Sequence, residues 1–258
     1  MKRALLLNGF TRPPWPLLLS IAAIGHVAAF LLPGSTMLPL LCGTWGGLAA
    51  NSLLDAANLV LTIAGPANLA LGWFAMLMVM MPPLLGWSLT HIWRSSLPAR
   101  RGRALMLFLL AYGFAWLLAG IPLIAWGIAL RLAFGTGLAT ASLVAAGALV
   151  WSASPWQRAA LNRGHRLMRI GVRGWKADRD AVAFGLSHGG WCVLSCWPWM
   201  LIPMVAGRWH VPVMAIATLA MLIERLASPA RPRWRPPTIM VVISLFFKRQ
   251  RRSIPAYG

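Results

Sequence analysis

Four side chains that can bind soft metal ions recur at every fourth position of one apolar segment: His188, Cys192, Cys196 and Met200. An α-helix turns about 100° per residue, so side chains with this spacing lie on nearly the same face, about 6 Å apart along the axis. Thiolate and thioether sulfur favour Cu(I), and imidazole accepts several metals. His188 and Met200 would be about 18 Å apart along the helix. The pattern therefore predicts a ladder of soft ligands rather than one four-coordinate site.

Two other apolar segments offer further ligands. Met76 and Met80 share a face of one segment, and Glu224 lies near the end of another. These segments belong to the membrane spans predicted below. Counting residues from the inner boundary of those spans places Met80 and Cys192 at a similar depth, about 12–15 Å. The same counting brings Met76 level with Cys196 and places Glu224 and His188 near the inner end. The candidate metal ligands are therefore Cys192, Cys196, His188, Met80, Met76, Met200 and Glu224.

The same residues also fit an ordinary packed core. Methionine commonly fills gaps, and a free cysteine is often a small buried hydrophobe. The histidine is more informative, because an ionisable side chain within a bilayer usually has a function. A copper site and plain packing both remain open at this point.

The composition indicates a membrane protein. Of the 258 residues, 59% are hydrophobic and only 11% are charged, so a soluble domain would expose too much apolar surface. The 24 Lys and Arg residues far outnumber the 4 Asp and Glu residues. They form short clusters between long apolar runs, as cytoplasmic loops of membrane proteins do, and not the single basic face that nucleic-acid binding requires. The three cysteines are too few for a disulfide scaffold.

The predicted fold is all-α, a polytopic membrane helix bundle of about six transmembrane helices within residues 1–236. A spanning helix needs about 20 mainly apolar residues. The basic start and long first apolar run favour an uncleaved first span over a signal peptide. The predicted spans are 16–32, 68–90, 104–130, 137–153, 181–206 and 211–227.

The basic residues predict the orientation. If the N-terminus is cytoplasmic, 22 of the 24 basic residues fall on the cytoplasmic side, and only Arg131 and Arg208 fall outside. The positive-inside rule then predicts a bacterial inner-membrane protein with both termini in the cytoplasm. Its expected partners are membrane lipid and a membrane protein or complex, and no nucleic acid.

Two weaker segments are not assigned as spans. Residues 45–63 could form a seventh span with a buried polar seam, but one extra span would invert every later loop. We therefore predict an outer interfacial helix there. Residues 237–258 form a basic tail whose apolar part, 238–247, is too short to cross. It is predicted to anchor at the inner surface or to dock a partner. The polar stripe of the outer helix consists of Asn51, Asp55, Asn58 and Thr62.

Several short motifs resemble those of a bacterial family described as predicted metal-binding integral membrane proteins, a domain of unknown function. The resemblance covers about residues 68–227. It rests on Trp-Phe-Ala-Met-Leu-Met-Val-Met-Met-Pro at 73–82, Ser-Pro-Trp-Gln-Arg at 154–158, Gly-Leu-Ser-His-Gly at 185–189, Cys196-Trp197 and Glu224-Arg225. The family usually has two adjacent cysteines before the tryptophan, whereas Ser195 takes the first of those positions here. The resemblance implies metal binding and no particular reaction.

The leading hypothesis is a membrane protein that binds or handles a soft metal ion, Cu(I), in its helix bundle, with a role either in trafficking the metal or in loading a partner metalloenzyme. The alternative is a non-catalytic accessory or assembly subunit of a larger membrane complex, without a metal. A transporter would be expected to have more charged residues within its spans. No nucleotide-binding or hydrolase motif is evident, so an enzyme is not predicted.

Overall fold

The computed structural model describes residues 14–31, 62 and 65–253, with side chains to residue 245. Over these residues the chain forms α-helices joined by short turns and contains no strand. The prediction of an all-α fold is confirmed. The helices are α1 (Trp15–Leu31), α2 (Pro66–Met80), α3 (Gly86–Ser95), α4 (Arg101–Phe134), α5 (Leu138–Ala153), α6 (Pro155–Gly164), α7 (Gly174–Val205), α8 (His210–Leu226) and α9 (Thr238–Ser253).

The two longest helices, α4 and α7, run parallel and form the centre of the bundle. Near their starts, Arg100 donates to Asp178 at 2.7 Å. Near their ends, the Nε of Arg131 donates to the Met204 carbonyl at 2.6 Å. Contacts at both ends in the same order require the two helices to point the same way along their whole length.

The close approach of α4 to α7 depends on small residues. Ala181, Gly185 and Gly189 form a row four residues apart on α7. A Cβ atom on Gly185 would lie 2.5 Å from the carbonyl oxygen of Phe108 on α4. Small residues at this spacing let helix backbones approach closely, as in many membrane helix pairs.

Helix α5 packs antiparallel to α7 and is attached to it through an irregularity in α7. Proline has no N–H group, so Pro198 cannot bond the carbonyl of Leu194. The indole N–H of Trp151 donates to that carbonyl instead, at 3.1 Å. At the other end of α5, the backbone N–H of Gly137 donates to the Val205 carbonyl at 2.9 Å.

The prediction of one continuous helix over 68–90 is wrong. Helix α2 ends at Met80, a single turn occupies Pro82–Leu84, and α3 begins at Gly86. The cause is Pro82-Pro83, because proline cannot donate to the preceding turn and disfavours helical geometry in the residue before it. The depth comparison of Met80 with Cys192 assumed a continuous helix and fails with it.

Among the residues that the structure describes, two helices are long and apolar enough to cross a membrane, over Pro98–Phe134 and Gly207–Leu226. A third crossing is possible if the pair Leu138–Ala153 and Pro155–Gly164, bent by 70°, counts as one span. Helices α1 and α2 are apolar but have only 17 and 15 residues. The six crossings stay a prediction, and the outer helix at 45–63 lies outside the described residues except for Thr62.

Two helical regions differ from the sequence prediction, one in a predicted loop and one that is longer than its predicted apolar segment. Helix α6 lies in a stretch predicted to be a loop, where Ser154 caps it by accepting from the Gln157 N–H at 3.2 Å. Helix α9 has 16 residues, more than the apolar part at 238–247. It is about 24 Å long, still shorter than a hydrocarbon core of about 30 Å.

Most of the described basic residues lie at one end of the bundle. The starts of α4 and α7 meet there through Arg100 and Asp178. The end of α8 joins them, since the carbonyl of Arg225 lies 2.9 Å from Nε2 of His165 beyond α6. Arg131 and Arg208 lie at the opposite end, near the end of α7.

Candidate metal centre

The predicted ligand row on α7 lies beside the row of small residues that admits α4. A Cβ atom on Gly189 would lie 2.8 Å from the Cβ of Ala115 and 3.3 Å from the carbonyl oxygen of Tyr112. The absence of a side chain at Gly189 therefore places the Tyr112 backbone directly against α7. Its phenol can then reach the next turn of α7, where Cys192 lies.

Cys192 and Cys196 form a buried thiol pair. Their Sγ atoms are 3.9 Å apart, and the two residues are 1% and 4% exposed. The Tyr112 hydroxyl donates to Cys192 Sγ at 3.4 Å. The Ser195 hydroxyl lies 3.4 Å from Cys196 Sγ and donates to the Cys192 carbonyl at 3.0 Å. Each sulfur therefore has a hydroxyl within contact distance, and both are shielded from solvent.

His188 lies one turn before Cys192 in an aromatic enclosure. Its ring centroid is 5.9 Å from Phe108, 6.0 Å from Tyr112 and 5.7 Å from Phe184. Arg225 donates to its Nε2 at 3.0 Å, and Ser88 Oγ lies 3.0 Å from the same nitrogen. The guanidinium of Arg225 binds this nitrogen. His188 is therefore a neighbour of the cysteine pair rather than a further ligand beside it.

Glu224 contacts a different helix from the one that carries the cysteines. The side-chain amide of Gln157 on α6 donates to one Glu224 carboxylate oxygen. Both residues are buried, at 3% and 1% exposure. The adjacent residue, Arg225, is the one that contacts His188. Carboxylate oxygen is also a poor match for Cu(I), so the geometry gives no support to Glu224 as a ligand of the same ion.

The predicted methionines are fully enclosed. Met76, Met80 and Met200 are each 0% exposed, and they belong to the same hydrophobic core as both cysteines. This core contains four more buried methionines, Met81, Met204, Met214 and Met221. The core that contains the thiol pair therefore also holds seven buried methionine thioethers among the described residues.

No group of three His, Cys, Asp or Glu side chains comes together as a metal site in the described part of the chain. The four predicted ligands of these types, His188, Cys192, Cys196 and Glu224, do not form one cluster there. A site in this region would combine the two cysteines with methionine thioethers. Cys42 lies outside the described residues.

The sequence did not predict three polar contacts of the candidate ligands: Tyr112 at Cys192, and Ser88 and the buried Arg225 at His188. Each had a signal. Tyr112 is one of only two tyrosines in the chain, and its hydroxyl falls within an apolar segment. Ser88 and Arg225 are polar residues at the ends of predicted spans. Buried polar groups need partners, so a search for the partner of His188 could have found them.

Comparison with known families identifies the chain. The family described as PpoB2, copper chaperone, matches residues 70–247, more than two thirds of the sequence. This range includes α3 to α8 and every residue of the thiol site described above. The expected relation to a metal-handling family is confirmed in that copper-related form. No curated protein and no solved structure matches the chain. The chain belongs to the PpoB2 copper chaperone family.

Proposed function

We propose that this chain is a membrane-embedded, non-catalytic copper chaperone that binds Cu(I) as its cargo through Cys192 and Cys196 and passes it to a partner protein. The observation that carries the proposal is the buried thiol pair, with 3.9 Å between its sulfur atoms, in a member of a copper chaperone family. Soft sulfur ligands in an apolar, water-excluded core suit Cu(I).

The spacing of the two sulfurs fits an ion with few ligands. With metal–thiolate bonds of about 2.3 Å, the length at zinc, two sulfurs 3.9 Å apart subtend roughly 115° at a shared ion. This angle is close to trigonal, so one further ligand completes the site. We propose that a thioether supplies this third ligand: Met200 follows Cys196 by about one turn of the same helix, and Met76 and Met80 are buried in the same core. Zinc usually takes four Cys, His or carboxylate ligands, and the described residues offer no third one of these types.

The outer face of α4 supports a membrane location. Met106, Leu110, Phe114 and Ile121 are exposed by 54% to 71% on this helix. Such a face is unfavourable in water and favourable against lipid tails. The basic end of the bundle would then lie at the cytoplasmic surface of a bacterial inner membrane, beside anionic headgroups, with both termini on that side.

Copper content tests the proposal. Protein purified with Cu(I) and without chelator should carry stoichiometric copper, and Cys192→Ser should carry none, because serine keeps the size while removing the soft ligand. Met106→Leu is the matched control, since Met106 is 61% exposed and lies outside the core. It should retain copper fully. Elemental analysis against protein concentration gives the result.

The alternative is an accessory or assembly subunit without a metal. Ser195, where the resembling family usually has a cysteine, favours this alternative, because the site has one thiol fewer. Wild-type protein without copper after Cu(I) loading would exclude the chaperone proposal and favour the accessory role. In that case Cys192→Ser should not change the association with membrane partners, which co-purification would measure.

A further inference from the structure

Arg225 is a buried cation without an ion-pair partner among the residues that the structure describes. It is 5% exposed. Its Nη2 donates to the Gly164 carbonyl at 3.1 Å and to Nε2 of His188 at 3.0 Å. Both of these acceptors are uncharged. The ion pairs in the described part of the chain are Arg100–Asp178, Arg103–Asp178 and Arg179–Asp180.

The surroundings of Arg225 do not cancel its charge. The buried carboxyl group next to it in the sequence, Glu224, is hydrogen-bonded to Gln157 and also lies within electrostatic reach of Arg158. This group of two arginines and one glutamate is positive whether Glu224 is ionised or protonated. An uncompensated charge in a water-excluded interior is costly, and it favours any ligand complex that adds negative charge nearby.

We infer that Arg225 determines the charge selectivity of the thiol site and favours a monovalent soft ion over a divalent one. The inference rests on the proposed function, in which Cys192 and Cys196 bind the ion. On binding, the two thiols release two protons to solvent and form two metal–sulfur bonds. A monovalent ion then leaves a complex of net charge −1, whereas a divalent ion leaves a neutral one. The Arg225 guanidinium stabilises only the complex of net charge −1.

The distance is short enough for a sizeable effect. His188, 3.0 Å from the guanidinium, precedes Cys192 by one turn, or about 6 Å along the helix. The rings of Phe108, Tyr112 and Phe184 pack around His188, and Cys192 and Arg225 are only 1% and 5% exposed, so this region is shielded from solvent. A unit charge about 9 Å from the complex, at an effective dielectric constant of about 20, changes the binding constant roughly 20-fold.

Two soft ions that differ in charge test the inference. Ag(I) serves as a redox-stable monovalent probe and Cd(II) as a divalent one, with affinities measured by competition on the full-length protein in detergent. Arg225→Gln should weaken Ag(I) binding roughly 20-fold and leave Cd(II) binding nearly unchanged. Arg225→Lys keeps the charge and should retain most of the wild-type ratio of the two affinities.

A matched control and a second variant complete the experiment. Arg131→Gln removes a guanidinium at the other end of α7, where it binds the Met204 carbonyl, and should not alter the ratio. Ser88→Asp adds a carboxylate beside His188 and neutralises Arg225 in place. It should lower the ratio as Arg225→Gln does, and it decides the question if Arg225→Gln does not fold.

The outcomes separate the two claims. Suppose that the wild type binds Ag(I) normally and that Arg225→Gln and Ser88→Asp keep its ratio of Ag(I) to Cd(II) affinity. This result would overturn the charge-selectivity inference and leave the copper proposal standing. Wild-type protein that binds neither ion would overturn the proposed function, and the inference with it.

Discussion

The Cys192 thiol lies between groups from two helices, with the Tyr112 hydroxyl at 3.4 Å and the Cys196 thiol at 3.9 Å. A hydroxyl that donates to a metal-bound thiolate fixes the orientation of that ligand and moderates its charge. Such outer-shell partners commonly contribute 10- to 100-fold to metal affinity. At the scale of single residues, Tyr112 is therefore part of the proposed copper site even though it is no soft ligand.

We predict that Tyr112→Phe lowers the Cu(I) affinity by at least about tenfold while the protein remains folded. The substitution removes only the hydroxyl and keeps the ring that packs against His188 at 6.0 Å between centroids. Competition with a chromophoric Cu(I) chelator measures the change. Thr140→Val is a suitable control, because its hydroxyl donates to the Phe134 carbonyl at the opposite end of α4. An unchanged affinity in Tyr112→Phe would remove the phenol from the site.

The identity and spacing of the soft residues could be read from the sequence, because four-residue spacing on a helix needs no knowledge of other helices. The partners of His188 and Glu224 could not. Arg225 is 37 residues from His188 and Gln157 is 67 residues from Glu224 along the chain. Their meeting depends on how α6, α7 and α8 pack, and local periodicity carries no information about that packing.

The interface between α4 and α7 positions the candidate site, because it brings Tyr112 to Cys192. It is built on close backbone contact at Gly185 and Gly189, where no larger residue fits without moving a helix. The ion pairs of Asp178 with Arg100 and Arg103 add little to it, since the arginine side chains are 25% and 66% exposed and exposed pairs are weak.

We predict that Gly185→Ala destabilises the protein by about 1–3 kcal/mol, as overpacking of a close contact does. The new Cβ atom would lie 2.5 Å from the Phe108 carbonyl oxygen and 2.8 Å from the Ala111 Cβ, so the helices must separate. Thermal unfolding in detergent measures the loss. Gly190→Ala is the matched control in the same helix, because its Cβ atom would meet nothing within 4 Å. Equal stability of both variants would contradict the close-contact argument.

At the scale of helices, prediction succeeded where an apolar run is bounded by clear breakers. Segments 137–153 and 211–227 agree with α5 and α8 to within one residue at each end. It failed at 68–90, since apolar content alone hid the effect of Pro82-Pro83 on the backbone. It also missed α6, because the charged residues of that helix resemble a loop. The serine cap at Ser154 followed by Pro155 was the available signal.

The whole molecule has two chemically different ends. Helix α4 is 34 residues long, or about 51 Å, so its two ends are separated by more than the thickness of a hydrocarbon core, about 30 Å. Arg100, Arg101 and Arg103 lie at its start, together with the start of α7. Arg131 lies near its end, where α5 begins, and Arg208 lies at the same end of the bundle. This asymmetry between the two ends of one helix is the structural counterpart of the charge distribution in the sequence.

The asymmetry leads to a prediction of the topology in intact cells. In a Cys42→Ser background, single cysteines introduced at Thr136, Ala99 and Val172 should react differently with a membrane-impermeant maleimide. All three positions are exposed, whereas Cys192 and Cys196 are buried and should not react. Thr136→Cys should be labelled from outside, because it follows the end of α4 that carries few charges. Ala99→Cys and Val172→Cys should be labelled only after permeabilisation, because the positive-inside rule retains their basic segments in the cytoplasm. Labelling of Ala99→Cys or Val172→Cys in intact cells would reverse the orientation. It would place the Arg225 end of the bundle outside, so that copper would have to leave the thiol pair toward a different compartment.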